Sequence, residues 1–173
     1  MFDPTAYENI KVVLEGAIYD LDLNEEIVID KRDDIVNLAT MSRSYSILFH
    51  LNQKNYQSKT SLTLMSDVQQ LAGEILEEHA LYPYYASLII RFYTTVTNPE
   101  LEQPLIEKKL KKVWGLFNHC SVKFVYSFEN YKERKFDATI ILPPIKITEE
   151  FIDVMDEILH NIVQTMTYFE QKS

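Results

Sequence analysis

Nine apolar residues between Phe151 and Phe169 recur at helical spacing, with Val154, Met155, Ile158, Leu159, Ile162, Val163 and Met166 filling the interval. They make one continuous stripe of about five turns, which a helix cannot leave in water. The spacing predicts a helix over 148–170. Thr148 stands at the expected N-cap, Glu149 and Glu150 put negative charge in the first turn, and Ile147 is placed to staple onto Ile152. A stripe of this length needs a broad apolar surface to lie against, and the strand-like segments upstream can supply a sheet.

Those segments read as follows. Asp3-Pro4 resembles an N-cap followed by proline at the first helical position, and Ile10, Val13, Leu14, Ala17, Ile18 and Leu21 continue at helical spacing, so a helix is expected from Asp3 to about Asp20. Its rival is a strand over 11–18, because Val12 and Val13 are β-branched and Gly16 weakens a helix interior. A short strand is expected over 26–30 and a short helix over 33–41. Residues 45–52 alternate Tyr45, Ile47, Phe49 and Leu51 with Ser46, Leu48, His50 and Asn52, a strand with one buried face; 59–65 is its hairpin return. Ser66-Asp67-Val68-Gln69 fits a capping box before a helix whose stripe is Val68, Leu71, Ala72, Ile75, Leu76 and Ala80.

Tyr82-Pro83-Tyr84 ends that helix, and the β-branched and aromatic run over 86–97 reads as a central strand. After Asn98-Pro99, Ile106, Leu110, Val113 and Trp114 share a helix face closed by Gly115. Residues 121–128 and 136–142 form a second hairpin, stopped by Pro143-Pro144. The expected fold is a single α+β domain: a predominantly antiparallel sheet of about five strands, covered chiefly on one side by helices, with a long C-terminal amphipathic helix.

A chain of 173 residues that is 46% hydrophobic can bury a substantial core as one domain. Its net charge of −9 argues against nucleic acid or a membrane surface as a partner, since both are negatively charged. Cys120 is the single cysteine, which excludes an internal disulfide and any multi-cysteine zinc site. The opening residues show no basic-then-apolar leader pattern and no stretch approaches a membrane span, so a cytoplasmic location is expected. The charge is uneven: residues 1–80 carry 6 basic and 14 acidic side chains, whereas 107–137 carry 8 and 4.

The three glycines, Gly16, Gly73 and Gly115, stand apart, so no phosphate-cradling loop or nucleophile elbow exists. Asp20 and Asp22, within Asp20-Leu21-Asp22-Leu23-Asn24, could share a divalent cation through hard oxygen ligands. As an EF-hand loop the segment fails, because Glu25 and Lys31 stand where a glycine and a bidentate glutamate are required. Read as structure alone, it is a solvated acidic turn. His119 and Cys120 are neighbours and in an extended chain point to opposite faces; Cys120 could instead meet His50, His79 or His160. Asp156 and His160, four apart on the last helix, supply two metal ligands where a zinc site needs three or four.

The basic island is the remaining feature: Lys108, Lys109, Lys111 and Lys112 at a helix end, joined by Lys123, Lys132, Arg134 and Lys135 if the fold brings the hairpin loop alongside. It suits an acidic partner surface, although lysines in a last turn also complement the helix dipole by roughly 0.3–1 kcal/mol each. The function expected is that of a non-catalytic cytoplasmic protein-binding or regulatory domain, with no cofactor, its partner another protein or a second copy of itself as a homodimer. The alternative is a small metal-dependent enzyme or ligand-binding protein using Asp20 and Asp22.

Overall fold

A computed structural model of the chain describes residues 6–76, 85–115, 123–127 and 135–172. In order they form α1 (Ala6–Leu23), β1 (Ile27–Asn37), β2 (Ser42–Leu51), β3 (Lys59–Ser66), α2 (Val68–Leu76), β4 (Ala86–Val96), α3 (Pro99–Val113), β5 (Lys123–Ser127), β6 (Phe136–Ile141), β7 (Ile145–Ile147) and α4 (Met155–Gln171). The class is α+β, and the sheet has seven strands rather than five, in the order β1-β2-β3-β4-β6-β5, with β7 also on β4. Every pairing is antiparallel. β6 and β7 lie end to end along the same edge of β4, separated by Pro143-Pro144, whose missing N–H groups interrupt the ladder. Leu142 bridges the gap by donating its amide to the Ile90 carbonyl at 3.0 Å.

One face of the sheet is the core. Tyr45, Ile47 and Phe49 of β2, Leu62 and Leu64 of β3, and Leu88, Ile90 and Phe92 of β4 are all at or below 1% exposure. Against them pack Ile10, Leu14 and Ile18 of α1, Ile106 and Leu110 of α3, and Ile158, Ile162 and Met166 of α4. The C-terminal stripe is therefore buried as its spacing predicts. α4 docks at its far end through Glu170, which accepts from the amides of Gln57 and Ser58 at 2.7 and 2.9 Å and from the Ser58 hydroxyl at 2.6 Å. It docks laterally through Thr165, which takes the Trp114 indole N–H at 3.1 Å.

Four expectations are corrected. Residues 33–41 are not a helix: β1 runs on to Asn37 and turns back at a hairpin tip where Asn37 Oδ1 accepts from the Ala39 and Thr40 amides at 3.0 and 3.3 Å and Met41 takes a φ of 53°. The strand's period of two is carried by charge, since Arg32 and Asp34 reach α1 (Glu15 at 2.8 Å, Lys11 at 2.9 Å) while Lys31 and Asp33 pair with each other at 2.7 Å on the opposite face. Secondly, α1 is a helix that continues to Leu23, so Asp20 and Asp22 belong to its last turn rather than to a loop after it. Thirdly, the cap of α2 is Asp67, accepting from the Gln69 and Gln70 amides at 2.9 Å each, with Gln70 Oε1 returning to the Asp67 amide. The box is shifted by one residue from Ser66. Fourthly, Thr148 caps no described helix: 149–154 form a 3-10 turn, α4 begins at Met155, and among the described residues the buried Thr148 hydroxyl has no hydrogen-bond partner. Asp3-Pro4, Tyr82-Pro83-Tyr84, His79, His119, Cys120 and Arg134 lie outside the described residues, as does most of the second hairpin's loop.

Candidate docking surface

The other face of the sheet has no described element over it. Alternation along each strand sends Ser46 and Leu48 of β2, Ser61 and Thr63 of β3, Ile89, Arg91 and Tyr93 of β4, and Thr139 and Ile141 of β6 to this side, all half-buried or exposed. Cross-strand register lines up one row through six strands: Lys31, Leu48, Ser61, Arg91, Ile141 and Lys123. With strands spaced at about 4.8 Å, that row is about 24 Å long. It mixes cations with aliphatic and small side chains. In the next row lie His50, Lys59, Tyr93, Thr139 and Val125, with Tyr93 at 37% exposure and Val125 at 44%.

The described strands put Lys31, Lys59, Arg91, Lys123 and Lys146 on this face against Asp30, Asp33 and Asp137. A face at +2 in a chain of −9 leaves the acidic excess elsewhere on the molecule. A shallow depression of about 330 Å³, bordered by Lys31, Leu48, Lys59, Ser61 and Tyr93, opens beside the row. A second, of about 360 Å³, lies beyond Tyr93 toward Asp137 and Thr139.

At the β1 border of the face the strand register slips between Ile29 and Lys31, and this bulge directs Asp30 toward β2 and β3. Asp30 Oδ2 accepts from Lys59 Nζ at 3.0 Å and meets His50 Nδ1 at 3.1 Å; the His50 ring stacks on Tyr56 with centroids 3.7 Å apart. Burial works against ionisation of Asp30, yet the hydrogen bonds from His50 and Lys59 outweigh it and hold the carboxyl below its ordinary value. An aspartate-histidine pair can orient a general base, but among the described residues no hydroxyl or thiol is hydrogen-bonded to His50. The cluster ties the β2–β3 loop to the edge strand. No spacing in the sequence announces it, because the bulge that creates it depends on register.

The sequence-derived candidates fall elsewhere. Lys108, Lys111 and Lys112 are exposed on the outer face of α3, and Lys109 lies over the Tyr168 ring at 5.6 Å. Phe136 pairs with Val96, so Lys135 sits level with the start of α3, whereas Lys111 and Lys112 close its last turn. At 1.5 Å per residue the two ends of that helix are about 20 Å apart. Asp20 and Asp22, two residues apart on a helix, diverge by about 200°. Asp22 Oδ1 accepts from the Ile29 amide at 3.3 Å, while Asp20 borders a cavity of about 330 Å³ with Glu26, Asp156 and His160. Among the described residues no three acidic, histidine or cysteine side chains converge as metal ligands.

No described helix is long and apolar enough to cross a membrane. Compared with known protein families, curated protein sequences and solved structures, the chain matches none.

Proposed function

We propose that this chain is a non-catalytic protein-binding or regulatory domain of the cytoplasm that docks its partner on the helix-free face of its sheet. The single observation carrying this reading is the face itself: a β-sheet is ordinarily buried on at least one side, and here the second side is left with interleaved aliphatic, tyrosine and basic residues. Tyrosine and arginine at the centre of a broad surface are what protein interfaces concentrate. Coordination chemistry receives no support from the divergence of Asp20 and Asp22.

A second surface has an observation in its favour. Leu101 and Leu105, 67% and 55% exposed, lie on α3 at three- and four-residue spacing with Lys108 and Lys112, so its outer face joins an apolar half to a basic half. The two are separated by a photo-crosslinking amino acid placed singly at Ser61 or Thr139 on the sheet, at Lys112 on α3, or at exposed Gln164 on α4 as a control. In the native cell, the first two positions are expected to give the same discrete adduct and Gln164 none. An adduct from Lys112 alone would transfer the function to α3. Equal labelling from all four would refute a defined docking face.

A further inference from the structure

Within that reading, on which it rests, we propose that Arg91 is the anchor of the sheet face and takes a carboxylate from the docked partner, which is therefore a protein segment presenting acidic side chains among apolar ones. β4 is the central strand, bonded to β3 on one side and to β6 and β7 on the other, so Arg91 stands in the middle of the surface. Three of the neighbouring cations are already engaged, Lys31 with Asp33 at 2.7 Å, Lys59 with Asp30 at 3.0 Å, and Lys146 over the Tyr85 ring at 4.5 Å, and Lys123 lies exposed on the edge strand β5, where water solvates it. Arg91 is different. Its described hydrogen bond is a long one, from Nη1 to Thr63 Oγ1 at 3.4 Å, and among the described residues no carboxylate lies within ion-pair distance of it.

The surroundings suit an anchor. Ile89 and Tyr93 flank Arg91 along the strand, and Ile141 and Ser61 flank it across the sheet. A half-buried guanidinium bordered by apolar side chains has lost part of its hydration, so a carboxylate reaching it in the planar bidentate geometry is held more strongly than at an open surface. Ser61 is small, and the depression beside it gives a side chain from above room to approach.

Charge complementarity selects the occupant. A second copy of this face would oppose +2 with +2 and, about a two-fold axis through the centre, Arg91 with Arg91. A nucleic acid would meet the rest of a chain at −9. An acidic, apolar protein segment satisfies both the cation and the aliphatic residues around it.

The test is fluorescence anisotropy with the purified full chain and three labelled probes: an 18-residue amphipathic peptide of leucine and glutamate, the same peptide with glutamine for glutamate, and a single-stranded oligonucleotide of equal charge. The glutamate peptide should bind at least tenfold more tightly than the glutamine peptide, and that advantage should vanish in Arg91→Gln and Arg91→Ala while surviving in Lys54→Ala, an exposed loop position. Arg91→Gln keeps most of the stem, so a loss shared by both variants at unchanged melting temperature reads the charge rather than the fold. Undiminished preference for the glutamate peptide in both variants would overturn Arg91 as anchor and leave the docking face standing. Failure of the wild-type chain to bind either peptide would overturn the docking face too. Tighter binding of the oligonucleotide than of the glutamate peptide would reassign the cation to phosphate and refute the acidic-protein partner.

Discussion

Replacing Glu170 by alanine should destabilise the fold more than any single exposed-looking glutamate has a right to, because its carboxylate closes the end of α4 onto the β2–β3 loop. Three donors converge on it, and they differ in what they lose. The Gln57 amide is exposed, so water replaces the carboxylate there at little cost. Ser58 is 1% exposed, and its amide and hydroxyl, bonded at 2.9 and 2.6 Å, have no such substitute. A hydrogen bond to a charged group contributes about 1.5–3 kcal/mol net, so two of them put Glu170→Ala at about 3–6 kcal/mol. In a domain of this size each kcal/mol moves the melting temperature by about 2–4 °C, for a fall of roughly 10 °C. Glu170→Gln keeps one acceptor and should lose less than half as much. Scanning calorimetry on both variants, on Ser58→Ala and on the double variant gives a double-mutant cycle, in which the Glu170–Ser58 coupling should be about 1 kcal/mol or more. Strict additivity, or a Glu170→Ala melt within 2 °C of the parent, would refute this docking of α4.

Three further outcomes are expected. Ile162→Ala, at a fully buried position of the C-terminal stripe, should cost about 2–5 kcal/mol in urea unfolding, and an unchanged midpoint would remove α4 from the core. Burial pushes the Glu102 carboxyl up, but hydrogen bonds from Lys172, the Asn98 amide and the Thr97 amide and hydroxyl prevail and bring it down to about 2. A depressed carboxyl stabilises the fold above its unfolded pKa, so the advantage of the parent over Glu102→Gln should be full near neutral pH and decline as pH falls from about 5 toward 2; a pH-independent difference would contradict it. Asp20→Asn with Asp22→Asn should leave the melting temperature within a few degrees, and magnesium, manganese or calcium should not raise that of the parent; a metal-specific rise abolished by the pair would restore the cation reading.

The sequence made legible whatever rests on hydrophobic period. β2, α3 and the stripe of α4 follow from apolar spacing, and Tyr45, Ile47, Phe49, Ile106, Leu110, Ile158, Ile162 and Met166 are buried as it selects, whereas His50, Asn161 and Thr165 are buried without belonging to it. β1 was hidden because its alternation lies in the signs of Lys31, Arg32, Asp33 and Asp34, which a search for apolar period reads as polar noise. β7 was hidden because three residues after two prolines look like a linker until β4 offers an open edge. The stripe of α2 misleads in the other direction: Val68, Ile75 and Leu76 have helical spacing and remain exposed. The helix-free face of the sheet was beyond reach for a different reason. Lys31, Ser61, Arg91, Lys123 and Ile141 are scattered over more than a hundred positions, and only register assembles them into one row. The lysine run of α3 was conspicuous because it is contiguous, and contiguity does not decide which surface a fold leaves open.

Hydroxyl-radical footprinting of the chain in its native complex and alone tests the docking face most directly, since it reads side chains one by one. Met65 and Tyr93, 39% and 37% exposed on the helix-free side, should lose most of their reactivity in the complex, while Val12 and Leu23 on α1 keep theirs. Protection of Val12 and Leu23 with Met65 and Tyr93 unchanged would place the partner on the helices and contradict the account.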